Sequence, residues 1–137
     1  AVRTLLEAGQ IVIAAGGGGI PVLEQRTVLK GASAIIEKDY AAARLAELLD
    51  AGTLLFLTAS DKLVINAGTD REQAFDRISA ADLKAYVNEE NMGAITTLPK
   101  VDAAVEFVLA GSGRKAVIAG LESAKDALAG KTGTTIM

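Results

Sequence analysis

Near the start of the chain stands the stretch Gln10-Ile-Val-Ile-Ala-Ala-Gly-Gly-Gly-Gly-Ile-Pro-Val22. Its apolar run, ending in turn residues, predicts a strand over residues 10–15 that is buried on both faces of a sheet. Open α/β sheets bind ligands at the carboxyl ends of their strands, and glycines there let the backbone approach a bulky anion closely. Four consecutive glycines are costly in backbone entropy, so a ligand loop is favoured over a simple tight turn. The candidate loop residues are Gly16, Gly17, Gly18 and Gly19.

The composition limits what kind of protein this is. The chain has 137 residues, about one domain's worth, and shows no repeat or linker, so residues 1–137 are expected to form a single domain. Cysteine and histidine are absent, which excludes disulfides, thiolate or imidazole metal sites and histidine catalysis. Carboxylates remain for Mg²⁺, but no set of them is assigned to a metal. The net charge of -3, with both signs spread along the chain, argues against nucleic-acid binding.

The sequence also bears on location and completeness. It carries no signal peptide and no apolar run long enough to cross a bilayer, so a soluble cytoplasmic protein with no membrane partner is expected. The first residue is Ala1, without an initiator methionine and already within a helical pattern. We therefore expect a fragment or a processed product.

Apolar periodicity predicts alternating helices and strands. The predicted helices cover residues 1–7, 39–49, 80–90, 100–110 and 122–128. The predicted strands cover residues 10–15, 53–58, 62–66, 115–119 and 134–137, with loops at 16–29 and 67–77 and an extended piece at 34–37. This order, with few aromatic residues and many Ala, Val, Ile and Leu, is typical of an α/β fold with a mainly parallel sheet.

Two lysines occupy predicted helix starts, where acidic residues are normally favoured. Lys38 lies between Glu37 and Asp39, and Asp39 is predicted to cap the helix. Lys100 follows Pro99 at the start of another helix. A surface charge cluster explains Lys38 about as well as an anion site does. Two such lysines after sheet strands nevertheless suggest two cationic groups directed at one phosphate chain.

A polar turn follows the predicted strand over residues 53–58. It comprises Thr58, Ala59, Ser60 and Asp61. At the carboxyl edge of the sheet this turn is suited to contact a base or a ribose. A polar hairpin turn without a ligand is equally consistent with its composition.

Taken in order, these segments resemble the C-terminal half of the carbamate kinases, within the amino acid kinase family. The similar segments are residues 11–22, Ala34-Ile-Ile-Glu-Lys-Asp-Tyr-Ala-Ala-Ala43, Leu55-Phe-Leu-Thr58 with Val64-Ile-Asn66, Leu98-Pro-Lys-Val-Asp-Ala-Ala104, and Ala116-Val-Ile-Ala119 with Gly130-Lys-Thr-Gly-Thr-Thr-Ile136. The Gly-Gly-Gly-Gly-Ile-Pro segment and the Lys-Asp pair are the most specific. The resemblance implies a three-layer, Rossmann-like α/β/α sandwich, incomplete here, and reversible phosphoryl transfer between Mg-ATP and carbamate, giving ADP and carbamoyl phosphate.

The resemblance also implies roles for individual residues. Lys38 looks like the lysine on the transferring phosphoryl group, and Asp39 like the carboxylate that orients the lysines. Lys100 looks like the lysine that reaches the ATP phosphates. Residues 16–19 look like the glycines lining the nucleotide and phosphoryl site, and residues 58–61 like the turn at the nucleotide. These roles agree with phosphoryl-transfer chemistry, in which cations neutralise the moving group.

Two departures from the family leave alternatives open. The segment Asn91-Met-Gly-Ala-Ile-Thr-Thr-Leu98 lacks the Gly-Ser-Met that usually precedes Pro-Lys, and Thr96 and Thr97 are the hydroxyls left in it. The family's N-terminal half, with its Gly-Gly-Asn loop, is absent from the sequence. The chain alone is therefore expected to be inactive and to self-associate or bind a partner chain carrying that half. The alternatives are a kinase-like binding or assembly subunit in carbamoyl-group metabolism and a stable domain with a vestigial site.

Overall fold

The computed structural model describes residues 1–87 and 98–137 of the chain. Its helices are α1 (Val2–Glu7), α2 (Lys38–Leu48), α3 (Ala80–Tyr86), α4 (Leu98–Leu109) and α5 (Ala124–Leu128), with a 3₁₀ turn at Leu121–Ser123. Its strands are β1 (Val22–Gln25), β2 (Val28–Gly31), β3 (Thr53–Thr58), β4 (Val64–Ile65), β5 (Gln73–Ala74), β6 (Arg77–Ile78), β7 (Lys115–Gly120) and β8 (Thr134–Ile136). None of the described helices is long and apolar enough to span a membrane.

The main sheet has four strands in the order β3-β7-β8-β6. β3 pairs with β7 in parallel, β6 pairs with β8 in parallel, and only the central β7–β8 pairing is antiparallel. The sheet is therefore mainly parallel, as predicted. In the β3–β7 register Thr58 lies opposite Gly120, so both strands end at the same edge of the sheet.

Helices cover both faces of this sheet. Successive side chains of a strand point to opposite faces, so the two faces carry different apolar residues. Ala116 and Ile118 of β7 belong to the larger core cluster, which also contains α4, whereas Val117 and Ala119 pack with Ala127 of α5. The uninterrupted apolar sequence of β7 is thus buried on both sides. The three-layer α/β/α arrangement predicted from the sequence is confirmed.

Helix α4 provides much of the larger core. Its apolar residues follow a helical period, and six of them are buried: Val101, Ala103, Ala104, Val105, Phe107 and Val108. Pro99 lies in its first turn, where a missing backbone N–H costs no intrahelical hydrogen bond. The small Ala103 and Ala104 are fully buried, and α4 packs against α2, α3 and β7. Its first turn, with Lys100, is therefore held beside the first turn of α2.

The predicted strand over residues 10–15 is wrong. These residues form no strand, and the side chains of Ile11 and Ile13 are 97% and 99% exposed. A strand needs a neighbour to satisfy its backbone groups, and no strand in residues 1–87 and 98–137 pairs with this segment. Indeed no residue before Asp39 is buried. The core is built entirely from Asp39 onward.

Short strands were also missed. The predicted loop over residues 16–29 contains β1 and the start of β2, which form an antiparallel hairpin. The predicted loop over 67–77 contains β5 and the first residue of β6, and β4 pairs with β5 outside the main sheet. Strands of two to four residues leave too few alternating positions for a sequence pattern to identify them. The described residues do not include residues 88–90 of the predicted helix over 80–90. They also do not include residues 91–97, with Thr96 and Thr97.

Candidate active site

The starts of α2 and α4 bring a single carboxylate between two ammonium groups. Lys100 Nζ donates to Asp39 Oδ1 at 2.8 Å, and Lys38 Nζ lies 3.6 Å from Asp39 Oδ2. The Asp39 side chain is 7% exposed and that of Lys100 is 14% exposed, whereas that of Lys38 is 57% exposed. The three residues predicted as catalytic are thus neighbours. Lys38 Nζ also lies 3.7 Å from Glu37 Oε2, so the group comprises two cations and two anions, and the half-exposed Lys38 is the cation open to a ligand.

Asp39 is not the helix cap that the sequence suggested. The N-cap of α2 is Glu37, whose side chain makes no capping hydrogen bond to the described residues, and Asp39 is an acidic residue of the first turn. Its carboxylate is turned instead toward Lys38 and Lys100. The prediction failed because α2 begins one residue earlier, at Lys38.

Lys100 is held from a third element as well. Its Nζ lies 5.1 Å from the centre of the Phe56 ring, and Phe56 is a buried residue of β3. An ammonium over an aromatic face is attracted by the negative face of the ring. The ammonium of Lys100 is therefore fixed by α2 and β3 together. Phe56 was not predicted as a site residue, although it is the one aromatic residue of β3 and lies two positions before Thr58.

The glycine run lies against the start of α2. Gly18 has φ +125, and a Cβ there would collide with the carbonyl oxygen of Ile36 and approach within 3.7 Å of the Lys38 amide nitrogen. A Cβ at Gly19 would meet the Ile36 side chain at 3.3 Å. At Gly16 and Gly17 a Cβ would meet nothing within 4 Å. The second half of the run thus packs beside Lys38, and the first half lies open.

Gly18→Ala is expected to destabilise this contact, because the new Cβ meets backbone and an L residue is strained at this φ. We expect a loss of about 1 to 3 kcal/mol in local stability, seen as faster amide hydrogen exchange over residues 16–20 and 36–38. Gly17→Ala is the matched control, since its Cβ enters open space. Equal exchange rates in the two variants would contradict the packing role of Gly18.

The turn over residues 58–61 lies at the carboxyl ends of β3 and β7. The Thr58 hydroxyl donates to the Ser60 carbonyl at 2.8 Å and accepts from the Ser60 amide at 2.9 Å. The Asp61 carboxylate lies against Gly120, where a Cβ would collide with it. Ala59 and Ser60 are exposed. Within residues 1–87 and 98–137 no hydrogen bond or ion pair joins this turn to Lys38 or Lys100. The turn is linked to Lys100 only through β3, which carries Phe56.

A second polar contact joins the same two helix starts. Tyr40 Oη donates to Asp102 Oδ2 at 2.7 Å. No sequence pattern had singled out Tyr40 or Asp102, which stand only within the family-like segments. The hydrogen bond to Asp102, burial and the negative charges of Asp102, Glu106 and Asp39 raise the pKa of Tyr40 from 10.0 to about 12. The phenol therefore stays protonated, and able to donate, throughout the neutral range.

This pKa predicts how the Tyr40 contact depends on pH. The folded-state pKa lies above the unfolded value, so the stability that the contact contributes is complete below pH 10 and disappears as the pH rises toward 12. In an absorbance titration of the phenolates, Tyr40→Phe should remove a transition near pH 12 that Tyr86→Phe retains. A Tyr40→Phe titration that keeps this late transition would contradict the assignment.

Metal-binding side chains are not clustered at this site. Among the described residues, no group of three or more aspartates and glutamates is placed to hold a metal ion. The charged groups described at the site include two ammonium groups on the carboxylate of Asp39, beside a glycine-rich backbone.

Comparison with known proteins gives consistent matches. A model of the amino acid kinase family matches residues 1–120. The carbamate kinase-like protein YqeA of Escherichia coli is 48% identical over 135 residues, which cover 98% of this chain and 44% of that protein. The carbamate kinase of Clostridium perfringens is 44% identical over 137 residues, covering 100% of this chain and 44% of that protein. The chain therefore spans less than half the length of these curated relatives.

Solved structures match over almost the whole chain. Giardia lamblia carbamate kinase bound to AMP-PNP superposes with a TM-score of 0.89 at 35% identity, covering 99% of this chain and 47% of that one. Another structure of Giardia carbamate kinase gives a TM-score of 0.86 at the same identity. At these values both the fold and the sequence agree.

Proposed function

This chain belongs to the amino acid kinase family, and from that premise we propose that it is the C-terminal, nucleotide-binding half of a phosphotransferase of carbamate kinase type. The proposed reaction is ATP + carbamate ⇌ ADP + carbamoyl phosphate. The observation that carries the proposal is the contact of two lysine ammonium groups with the opposite oxygens of Asp39. A site for phosphoryl transfer needs such fixed cations, because the protein's main task is to position the reactants and neutralise charge.

The three residues have different tasks in this proposal. Lys38 binds the transferring phosphoryl group, because its half-exposed side chain is open to a ligand that enters from solvent. Lys100 binds the ATP phosphates. Asp39 holds both ammonium groups in place and offsets part of their mutual repulsion. Because these charges are ordered before substrate arrives, little reorganisation is needed as negative charge shifts between donor and acceptor.

The glycine run and the 58–61 turn are assigned to the nucleotide. Gly16 and Gly17 offer open backbone, and Gly18 and Gly19 pack the loop against Ile36 and the start of α2. The turn lies at the sheet edge where α/β folds bind ligands. Magnesium, expected as part of the Mg-ATP substrate, would supply further positive charge at the phosphates.

The chain is also proposed to need more polypeptide than it contains. Residues 1–38 include no buried residue, and Ile11 and Ile13 are almost fully exposed. The curated relatives, which match 98% or more of this chain, have more than half of their length outside the match. We propose that this additional half, in a partner chain or in a longer form of the protein, covers the exposed apolar residues, with self-association as the alternative. The cytoplasmic location stays a prediction.

Titration with AMP-PNP tests the nucleotide site. The chain is labelled with ¹³C at lysine and observed by NMR alone and with the unmatched part of Clostridium perfringens carbamate kinase co-expressed. We expect the ε-methylene signals of Lys38 and Lys100 to shift saturably, while that of Lys131, exposed and paired with Asp126, stays in place. If neither Lys38 nor Lys100 responds even with the added polypeptide, the proposed nucleotide site is incorrect.

Turnover separates the phosphotransferase from the binding subunit. The complemented enzyme is this chain co-expressed with the unmatched part of the Clostridium perfringens carbamate kinase. ATP formation by it from ADP and carbamoyl phosphate would exclude a purely binding or assembly role. Nucleotide binding without turnover would favour that role instead. The observation behind the alternative is the altered segment over residues 91–98, of which residues 91–97 lie outside the described structure.

A further inference from the structure

We propose that Tyr40 and Asp102 are positioning residues that set the placement of the Lys100 ammonium. Tyr40 directly follows Asp39 on α2, and Asp102 lies two residues beyond Lys100 on α4. The bonds Lys100–Asp39 and Tyr40–Asp102 therefore run between the same two first turns, at 2.8 and 2.7 Å. The inference deepens the proposed function, since it assigns residues that act through Lys100 on the nucleotide.

Two contacts constrain a pair of helices more than one does. A single Lys100–Asp39 bond acts as a pivot, about which α4 can still rotate relative to α2. The Tyr40–Asp102 bond lies at a different point of the interface, so a rotation or slide that preserves one bond lengthens the other. The two together fix both the distance and the rotation of the helix starts.

Apolar packing alone would not provide this precision at the helix starts. Ala43 of α2 and Val101 and Val105 of α4 belong to one core cluster, which holds the helices together without fixing polar geometry. The Lys100 ammonium is held by Asp39 of α2 and by the Phe56 ring of β3, so its position depends on how the start of α4 lies against those two elements. A misplacement of about 1 Å at a reacting group can cost on the order of a hundredfold in rate.

The Tyr40–Asp102 bond is suited to such a task. A hydroxyl donating to a carboxylate is a charge-assisted bond, stronger and more directional than a bond between neutral groups. It is part-buried, which limits competition from water. Its donor stays protonated at neutral pH, because the pKa of Tyr40 is about 12. The bond is therefore constant under the conditions in which the enzyme would work.

The experiment compares Tyr40→Phe and Asp102→Asn with Tyr86→Phe as the matched control. Both test variants keep side-chain volume, and Tyr86 lies on a different helix, α3, with its ring centre 6.2 Å from that of Phe75. In the ¹³C-lysine-labelled chain we expect the Lys100 ε signal in both test variants to move toward its position in Asp39→Asn. It should not move in Tyr86→Phe. An unmoved Lys100 signal in either test variant would overturn the proposal, because a merely stabilising bond leaves that signal in place.

The complemented enzyme supplies the second readout. Tyr40→Phe should lower kcat/KM for ADP about tenfold, and Lys100→Met should lower it further. If Tyr40 acts through Lys100, the double variant should be no slower than Lys100→Met alone. Losses that multiply would show independent roles and overturn the proposal. Absence of turnover in every form would count against the proposed function, while the NMR comparison would still decide the role of Tyr40 and Asp102.

Discussion

Asp39→Asn should lower the free energy of unfolding by about 3 kcal/mol, the cost expected when one partner of a buried ion pair is removed. The Lys100 side chain is 14% exposed and has its ion pair with Asp39 at 2.8 Å. Without the carboxylate, its ammonium stays largely desolvated with only a neutral amide beside it, while Lys38 remains nearby as a like charge. Urea denaturation of the 137-residue chain measures the loss directly.

Asp126→Asn is the matched control for this prediction. Asp126 also lies in the first turn of a helix and faces a lysine, with its Oδ1 3.6 Å from Lys131 Nζ, but its side chain is 61% exposed and that of Lys131 is 72% exposed. Exposed pairs contribute about 0 to 1 kcal/mol, since water replaces the lost partner. If the two variants lose equal stability, burial is not what makes the Asp39 carboxylate important, and the description of a desolvated charge group is wrong.

Lys38→Met is expected to have the opposite effect, with little change in stability and a large loss of turnover. The ammonium is half-exposed and lies 3.6 Å from Asp39, so water can replace it at little cost in the folded chain. Removing a fixed cation from the charge that develops in phosphoryl transfer should lower kcat by on the order of a hundredfold to a thousandfold. ATP formation by the complemented enzyme measures it.

Lys131→Met provides the comparison for Lys38. Lys131 also lies 3.6 Å from a carboxylate, that of Asp126, and is likewise exposed, but it is remote in sequence from both helix starts. The Lys131→Met substitution should leave both the free energy of unfolding and the turnover unchanged. A complemented Lys38→Met enzyme that retains full turnover would remove Lys38 from the proposed mechanism, whereas a loss shared by Lys131→Met would indicate a general effect of net charge.

The contrast between Asp39 and Lys38 follows from where each side chain lies. A buried charge is costly to leave unpaired, so its partner affects folding. A half-exposed charge costs little to hold and stays available to a ligand. Stability measurements on the isolated chain and turnover measurements on the complemented enzyme therefore test different members of the same group, and neither substitutes for the other.

Long, strongly patterned segments were predicted well. The strand over residues 53–58 has the predicted bounds, and α2 and α4 begin within one or two residues of prediction. Their apolar periodicity and turn residues lie within the segment itself, so no distant contact is needed to recognise them. The family was likewise evident from local motifs, and the match over residues 1–120 confirms it.

What the sequence could determine by itself was the α/β class, the mainly parallel sheet, and the lysines and glycines that were candidates for one anion site. Only the tertiary structure decided that Asp39 accepts from Lys100 rather than capping α2, and that Phe56, Tyr40 and Asp102 surround the pair. It also decided that residues 10–15, for all their strand-like composition, are uncovered. The physical reason is the same in each case. Pairing of strands and of charges depends on contacts between residues up to 64 positions apart, which local sequence does not encode.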